Sequence, residues 1–252
     1  MLAKVARRIS DGQVLAMVKQ FLKSTGNQGV PQGSPLSPLL ANLALNDLDH
    51  VLDRGSGFIT YARYLDDMVV LAPNSDKGKA WADRALARIR DEADAIGVSL
   101  NTEKTRIVTI TDERAVFAFL GFEFRWVPST KTGRWYPCTT PRPKKITMVL
   151  RKVRDSLRAS RHLSVPAAVA RVNPILRGWV NYFKVGNSSQ AFNTVKHHVE
   201  RKVRRFAAKQ RKRKGFGWKR WSSDVVYGSW GLFQDYHLAY ASAKARTDRT
   251  EA

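Results

Sequence analysis

The chain has one cysteine, Cys138, in 252 residues. A lone thiol excludes an internal disulfide and any zinc site built on cysteine pairs. His50, His162, His197, His198 and His237 show no ligand spacing with it and read as ordinary polar or nucleic-acid-facing residues rather than metal ligands. Long apolar runs are also missing. No stretch of about 18 hydrophobic residues occurs, and Lys4, Arg7 and Arg8 break the apolar stretch that a signal peptide needs. A membrane partner is therefore not expected, and the chain reads as intracellular. Negative charge is short too: 21 Asp and Glu stand against 44 Lys and Arg, a net charge of +23 and a pI near 10.6. The imbalance is local, because residues 1–128 hold 16 basic and 15 acidic side chains whereas residues 129–252 hold 28 and 6. Such a block attracts a polyanion, and counterion release makes nucleic-acid binding strong and salt-dependent. At 43% hydrophobic residues the chain is globular rather than disordered.

What is present begins with Tyr64-Leu65-Asp66-Asp67, set between the apolar runs Phe58 to Ala62 and Met68 to Ala72. Strand side chains alternate between faces, so two adjacent aspartates can aim at one spot only where a tight turn reorients them. A strand-turn-strand hairpin does this. Two carboxylates held together repel unless a cation lies between them, and hard oxygen ligands select magnesium or manganese. The pair points to a divalent-metal site for phosphoryl transfer. A solvated hairpin tip has the same composition, because aspartate is a common turn former.

The surrounding pattern alternates helices and strands. Leu2, Val5, Ile9, Val14, Met17, Val18 and Phe21 follow helical spacing, broken at Asp11-Gly12. The segment Gly29-Val30-Pro31-Gln32-Gly33-Ser34-Pro35-Leu36-Ser37-Pro38 must be a loop, since its prolines lack amide donors. Ser37-Pro38 suits the N-cap and first position of a helix carrying Leu40, Leu43, Ala44, Leu48 and Val51. Gly33 permits close backbone approach to a ligand and Gln32 offers an amide, although the loop would look alike as mere helix punctuation. A further helix with Ala82, Leu86, Ile89, Ala93 and Ile96 ends at Gly97. Two strands are predicted after it, Arg106 to Ile110 and Ala118 to Trp126, giving a mixed sheet with packed helices.

In the basic half, Ile146, Val149, Leu150, Val153 and Leu157 form one apolar stripe, and Val195, Val199, Val203 and Phe206 form another. Trp179, Tyr182 and Phe183 fall at i, i+3 and i+4 and read as core. Arg201, Lys202, Arg204, Arg205 and Lys209 occupy the opposite face of the second stripe. They lead into Arg211-Lys212-Arg213-Lys214-Gly215-Phe216-Gly217-Trp218-Lys219-Arg220-Trp221. A run this dense, single-signed and interleaved with aromatics predicts phosphate contact and base stacking.

Taken in order, Pro31-Gln32-Gly33, Tyr64-Leu65-Asp66-Asp67, Leu100-Asn101-Thr102-Glu103-Lys104-Thr105 and Phe119-Leu120-Gly121-Phe122 resemble the palm of reverse transcriptases. Val172-Asn173-Pro174-Ile175-Leu176-Arg177-Gly178-Trp179-Val180-Asn181-Tyr182-Phe183 resembles the maturase-specific region of group II intron reverse transcriptases. The likeness covers the palm from the Pro-Gln-Gly motif onward and the maturase and thumb region, roughly residues 1 to 235. It implies an α+β fold: a partial right-hand polymerase palm and fingers over residues 1–128, an all-helical basic thumb and maturase domain over 129–235, and a flexible tail over 236–252.

The resemblance also implies roles. Asp66 and Asp67 hold Mg²⁺ as the catalytic pair of a two-metal site for nucleotidyl transfer, with Asp66 the direct ligand. Tyr64 lies beside the primer terminus, and Pro31, Gln32 and Gly33 line the pocket for nucleotide and template. Lys104 lies near the triphosphate as proton donor or charge neutraliser, or is a solvated strand-end lysine. Phe119, Leu120, Gly121 and Phe122 form the primer grip, or an aromatic strand that fills the core. The implied partners are intron RNA, an RNA template with a DNA primer, and dNTPs, in the cytoplasm and at the nucleoid.

One element of the family pattern has no counterpart. Palms of this family use an aspartate on an earlier strand, and no strand bearing aspartate is predicted before residue 30; Asp11 lies in a helix break, and Asp47 and Asp49 lie on the helix after Pro38. The expectation is a chain that begins after that strand, lacks most of the fingers, and is a weak or inactive polymerase without a missing N-terminal segment. Three functions stay open: an RNA-directed DNA polymerase and maturase, a non-catalytic intron RNA-binding splicing factor, and a reverse transcriptase of another bacterial lineage, which residues 172–183 disfavour.

Overall fold

The computed structural model describes residues 2–24, 33–53, 57–111 and 115–239. They fall into two compact units, divided between Thr109 and Ile110.

Among the described residues, the first unit has four helices, α1 (Leu2–Ala6), α2 (Gly12–Lys23), α3 (Leu36–Asp53) and α4 (Asp76–Ala95), and one hairpin, β1 (Thr60–Tyr64) and β2 (Asp67–Leu71). Asp11 caps α2 by accepting from the amides of Gln13 and Val14, at 2.7 and 3.1 Å, which explains the break there. Helix α3 starts at Leu36, so Ser37 and Pro38 lie in its first turn rather than at the cap. Ser34 takes the capping part, its Oγ accepting from the Leu36 amide at 3.3 Å. One end of α3 packs Leu40 against Val5 and Val18, and the other packs Leu48 and Leu52 against Ile59, Ala85 and Ile89. Lys4 joins α1 to α3 through the Ala44 carbonyl and the Asp47 carboxylate, each at 2.8 Å.

The second unit opens with a three-stranded antiparallel sheet, β3 (Val116–Phe119), β4 (Phe122–Pro128) and β5 (Trp135–Pro141), in sequence order. Helices α5 (Pro143–Ala159), α6 (Val165–Phe183) and α7 (Ser189–Gln210) follow, then one π-helical turn over Asp224–Ser229. Both apolar stripes face inward. Val149, Val153 and Leu157 of α5 meet Val172 and Leu176 of α6 and Val195, Val199 and Val203 of α7 in one core. A neighbouring cluster joins Phe122 of β4 to Val180, Phe183 and Phe192.

The fold is α+β, as expected, but several expectations need correction. Both sheets are antiparallel, so the described residues contain no mixed sheet. The β-branched run Arg106 to Ile110 enters no ladder; strand propensity expresses itself only where a partner edge exists. The predicted strand Ala118 to Trp126 is two strands joined by a turn at Leu120-Gly121. The basic segment is not wholly helical, because β5 lies inside it. At the other end, Tyr236 packs against Phe192 and Phe233 and the Ala239 amide bonds the Lys184 carbonyl at 2.8 Å, so the first residues of the supposed tail belong to the folded unit. Residues 240–252 lie outside the described residues.

Candidate active site and nucleic-acid interface

Strands β1 and β2 pair in the register Thr60 with Leu71 through Tyr64 with Asp67, which leaves Leu65 and Asp66 as a two-residue turn. Direct cross-strand partners share a face. Tyr61, Arg63, Met68 and Val70 thus lie on one face, with Tyr61, Met68 and Val70 packed on the core that includes Leu48 and Leu52 of α3. Tyr64 and Asp67 emerge together on the opposite, exposed face, and Asp66 is exposed at the tip. Leu65 takes φ 58°, a left-handed conformation that a two-residue hairpin ordinarily gives to glycine.

Beneath this turn lies a polar network that sequence reasoning missed. Arg63 donates through Nε to Asp49 Oδ1 at 2.7 Å and through Nη2 to Asp49 Oδ2. Its Nη1 donates to the Leu65 carbonyl at 2.8 Å and to Asn42 Oδ1 at 3.0 Å. The Tyr61 hydroxyl adds a 3.0 Å bond to Asp49 Oδ1. Burial works to raise the Asp49 carboxyl, but the bonds from Arg63 and Tyr61 and the guanidinium charge outweigh it and hold the carboxyl below its usual range. Tyr61 is pushed well above the ordinary phenol by burial and then by its bond to Asp49. The only sequence signal was alternation, which puts Tyr61 and Arg63 on one face.

The remaining predicted residues are distributed as follows. Pro31 and Gln32 lie outside the described residues, and Gly33 stands before α3 with φ 84°. Lys104 is exposed in a turn where its amide bonds Asn101 O at 3.2 Å and Asn101 Oδ1 at 3.1 Å. No hydrogen bond or ion pair joins it to Asp66 or Asp67 among the described residues. No group of three His, Cys, Asp or Glu side chains able to hold a metal occurs among them either.

The Phe119-Leu120-Gly121-Phe122 motif is a second two-residue hairpin in the other unit. Leu120 and Gly121 have φ 48° and 82°, the sign pattern of the turn that matches strand twist. A Cβ on Gly121 would lie 3.0 Å from Lys145 Cε. Phe122 is buried, whereas Tyr182, expected in the core, is exposed and donates its hydroxyl to the Leu120 carbonyl at 2.8 Å. Trp179 and Phe183 do pack inside.

The basic loop after α7 is folded by its own aromatics. Phe216 lies under the Arg201 and Arg205 guanidiniums, at 4.9 and 5.9 Å. Trp218 lies under Arg204 at 4.2 Å and stacks with His197 at 6.2 Å. Phe216 and Trp218 thus already carry guanidinium partners. Arg204 departs from its predicted role in nucleic-acid contact: it is buried, bonded to Glu200 Oε1 through Nε at 2.9 Å and to the Trp221 carbonyl at 2.5 Å. The Glu200 carboxylate four residues before it made that burial possible. Arg201, Arg205, Lys209, Arg211, Lys212, Arg213, Lys214, Lys219 and Arg220 are exposed, and Lys202 is half-buried. Arg213, Lys214, Trp218, Lys219, Arg220 and Trp221 line a cavity of about 420 Å³. Its cationic rim suits phosphate oxygens.

Two family models match this chain in tandem. Residues 12–124 match reverse transcriptase (RNA-dependent DNA polymerase), which defines the class of the first segment. Residues 146–224 match the group II intron, maturase-specific domain. With the two in this order, the chain is similar to group II intron reverse transcriptase/maturases. It is similar to Protein YkfC of Escherichia coli (strain K12), 28% identical over 157 residues that cover 46% of this chain and 40% of that protein. It is also similar to the Retron Ec86 reverse transcriptase of Escherichia coli, 35% identical over 89 residues, 34% of this chain and 27% of that one. The chain thus spans less than half the length of these curated relatives. Among the described residues, no helix is long and apolar enough to cross a membrane.

Proposed function

We propose that this chain supplies the palm and maturase parts of an RNA-directed DNA polymerase of group II intron type. It would extend a DNA primer with dNTPs on an RNA template and bind intron RNA to aid its splicing. The observation that carries the reading is the exposed Asp66-Asp67 pair on a clamped two-residue turn, inside the stretch that matches reverse transcriptases.

In this reading Asp66 and Asp67 hold Mg²⁺. In phosphoryl-transfer sites Mg²⁺ is held by one or two carboxylates, with substrate phosphates and water completing its shell, so the donor kind and number fit one ion. When bound, the metal supplies activation of the primer 3′-hydroxyl and charge stabilisation at the leaving pyrophosphate. Tyr64, on the face of Asp67, orients the primer terminus. Pro31, Gln32 and Gly33 bind nucleotide and template, and Lys104 neutralises or protonates the triphosphate. The hairpin Phe119 to Phe122 serves the primer through its backbone, since the Phe122 ring is committed to the core. The exposed cations from Arg201 to Arg220 grip intron RNA through its phosphates.

Primer extension on an RNA template tests this. Incorporation of dNTPs that falls by two or more orders of magnitude in Asp66→Ala, as loss of a catalytic group does, supports it. A second reading is a non-catalytic intron RNA-binding splicing factor, which rests on the match to the maturase-specific domain alone. Intact intron-RNA binding with no incorporation by the unaltered chain would select it.

A further inference from the structure

We propose that Arg63 is a positioning residue which, by tying the Leu65 carbonyl to Asn42 and Asp49 of α3, fixes the direction in which Asp66 and Asp67 present their carboxylates. This rests on the reading of that pair as a metal site. Three observations support it. The Arg63 side chain is only 8% exposed, so its fork is committed to this face of the hairpin. Its acceptors are a helix carboxylate, a helix amide and the carbonyl next to Asp66. One planar group thus joins a rigid element to the turn, a geometry that a lysine cannot reproduce. Leu65 itself is held at φ 58°, and a bulky residue stays in that region only where its surroundings over-determine it. The bond to its carbonyl is one such restraint. A group acting on the ligand-bearing turn from behind is expected to tune metal affinity roughly tenfold to hundredfold, as outer partners of metal ligands do.

The test uses the full chain with Mn²⁺ as the probe, titrated by electron paramagnetic resonance. Amide hydrogen exchange at residues 65–68 and thermal unfolding are followed in the same samples. The unaltered chain should bind Mn²⁺ and Asp66→Ala should not. Arg63→Lys should weaken binding by at least about tenfold and speed exchange at Asp66 and Asp67, with thermal unfolding little changed. Adding Leu65→Gly, which relaxes the left-handed turn, should restore part of that loss. Asn42→Ala, which removes one exposed acceptor, should act in the same direction more weakly and serves if Arg63→Lys does not fold. Binding and turn exchange unchanged in Arg63→Lys, or in Asn42→Ala if that variant must serve, overturn the proposal. If the unaltered chain binds no more Mn²⁺ than Asp66→Ala, the metal reading fails instead. Exchange at the turn then decides the positioning role by itself: faster in the variant supports it, unchanged refutes it.

Discussion

Replacing Arg204 with methionine separates a buried structural cation from the exposed cations around it. The guanidinium, 2% exposed, bonds Glu200 Oε1 from Nε at 2.9 Å and approaches the same oxygen from Nη2 at 2.7 Å. It also donates to the Trp221 carbonyl at 2.5 Å and lies 4.2 Å from the Trp218 ring. Breaking a buried ion pair from one side costs about 3–5 kcal/mol. A stranded carbonyl costs about 1–3 kcal/mol, and the cation–π contact about 0.5–1 kcal/mol, because Trp218 is half exposed. These terms share one group and do not add. The Tyr227 hydroxyl still donates to Glu200, at 3.0 Å, and methionine refills part of the volume. The net expectation is about 4 kcal/mol, or roughly 12 °C in the unfolding midpoint for a unit of this size. Removing Glu200 as well, with Glu200→Gln, should return at least about half of it. Urea unfolding measures both.

RNA binding supplies the sharper criterion. A phosphate contact contributes about 0.7–0.9 to the slope of log K against log salt. Arg204→Met should weaken RNA binding by loosening the loop it braces while leaving that slope unchanged, whereas Arg213→Ala should lower the slope by about one contact. A slope reduced in Arg204→Met, or a destabilisation below about 1 kcal/mol, would refute the buried-brace account.

Other perturbations follow from the same geometry. Gly217→Ala places a Cβ 2.4 Å from the Trp221 ring at a φ of 64°, so a loss of about 2–3 kcal/mol in urea unfolding is expected. Tyr182→Phe removes one hydrogen bond to the Leu120-Gly121 turn and should cost about 1 kcal/mol, with faster amide exchange confined to residues 120–122. The Asp49 carboxyl is depressed in the folded state, so its contribution is present above the unfolded value of about 3.9 and is lost as pH falls through the lower folded value. Tyr61 is raised, so its contribution is present below about pH 10 and is lost as pH climbs through the folded value. Acid and alkaline titrations followed by circular dichroism should show both edges, and Asp49→Asn should flatten the acid one.

Much of this fold was legible because periodicity reports burial. The stripes Val149-Val153-Leu157 and Val195-Val199-Val203 are apolar at helical spacing, and each is buried as that spacing requires. The Asp-Asp hairpin was legible for the same reason, from two apolar runs around a turn. Features set by distant partners were not. Arg63 and Asp49 lie on different elements, and no local period connects a strand arginine to an aspartate on the helix before it. Arg204 sits in a basic run whose composition says solvent, yet Glu200 one turn earlier gives its charge a partner inside. Leu120-Gly121 carries only half a turn signal, since leucine seldom adopts positive φ, and the motif therefore read as continuous strand.

That last failure exposes a construction the two candidate motifs share. In Tyr64-Leu65-Asp66-Asp67 and in Phe119-Leu120-Gly121-Phe122, leucine takes the first turn position at positive φ, 58° and 48°. In each, the carbonyl of that leucine accepts a side-chain hydrogen bond at 2.8 Å, from Arg63 in one and from Tyr182 in the other. A left-handed leucine costs about 1–2 kcal/mol, and a hydrogen bond returns about 1 kcal/mol. Neither turn is favourable from its own four residues. Each is held in shape by a side chain that is itself anchored on a helix or belongs to one: Arg63 through Asp49 of α3, Tyr182 from α6. The geometry of both motifs is therefore a property of the helices beneath them, and substitutions on those helices should reach both turns.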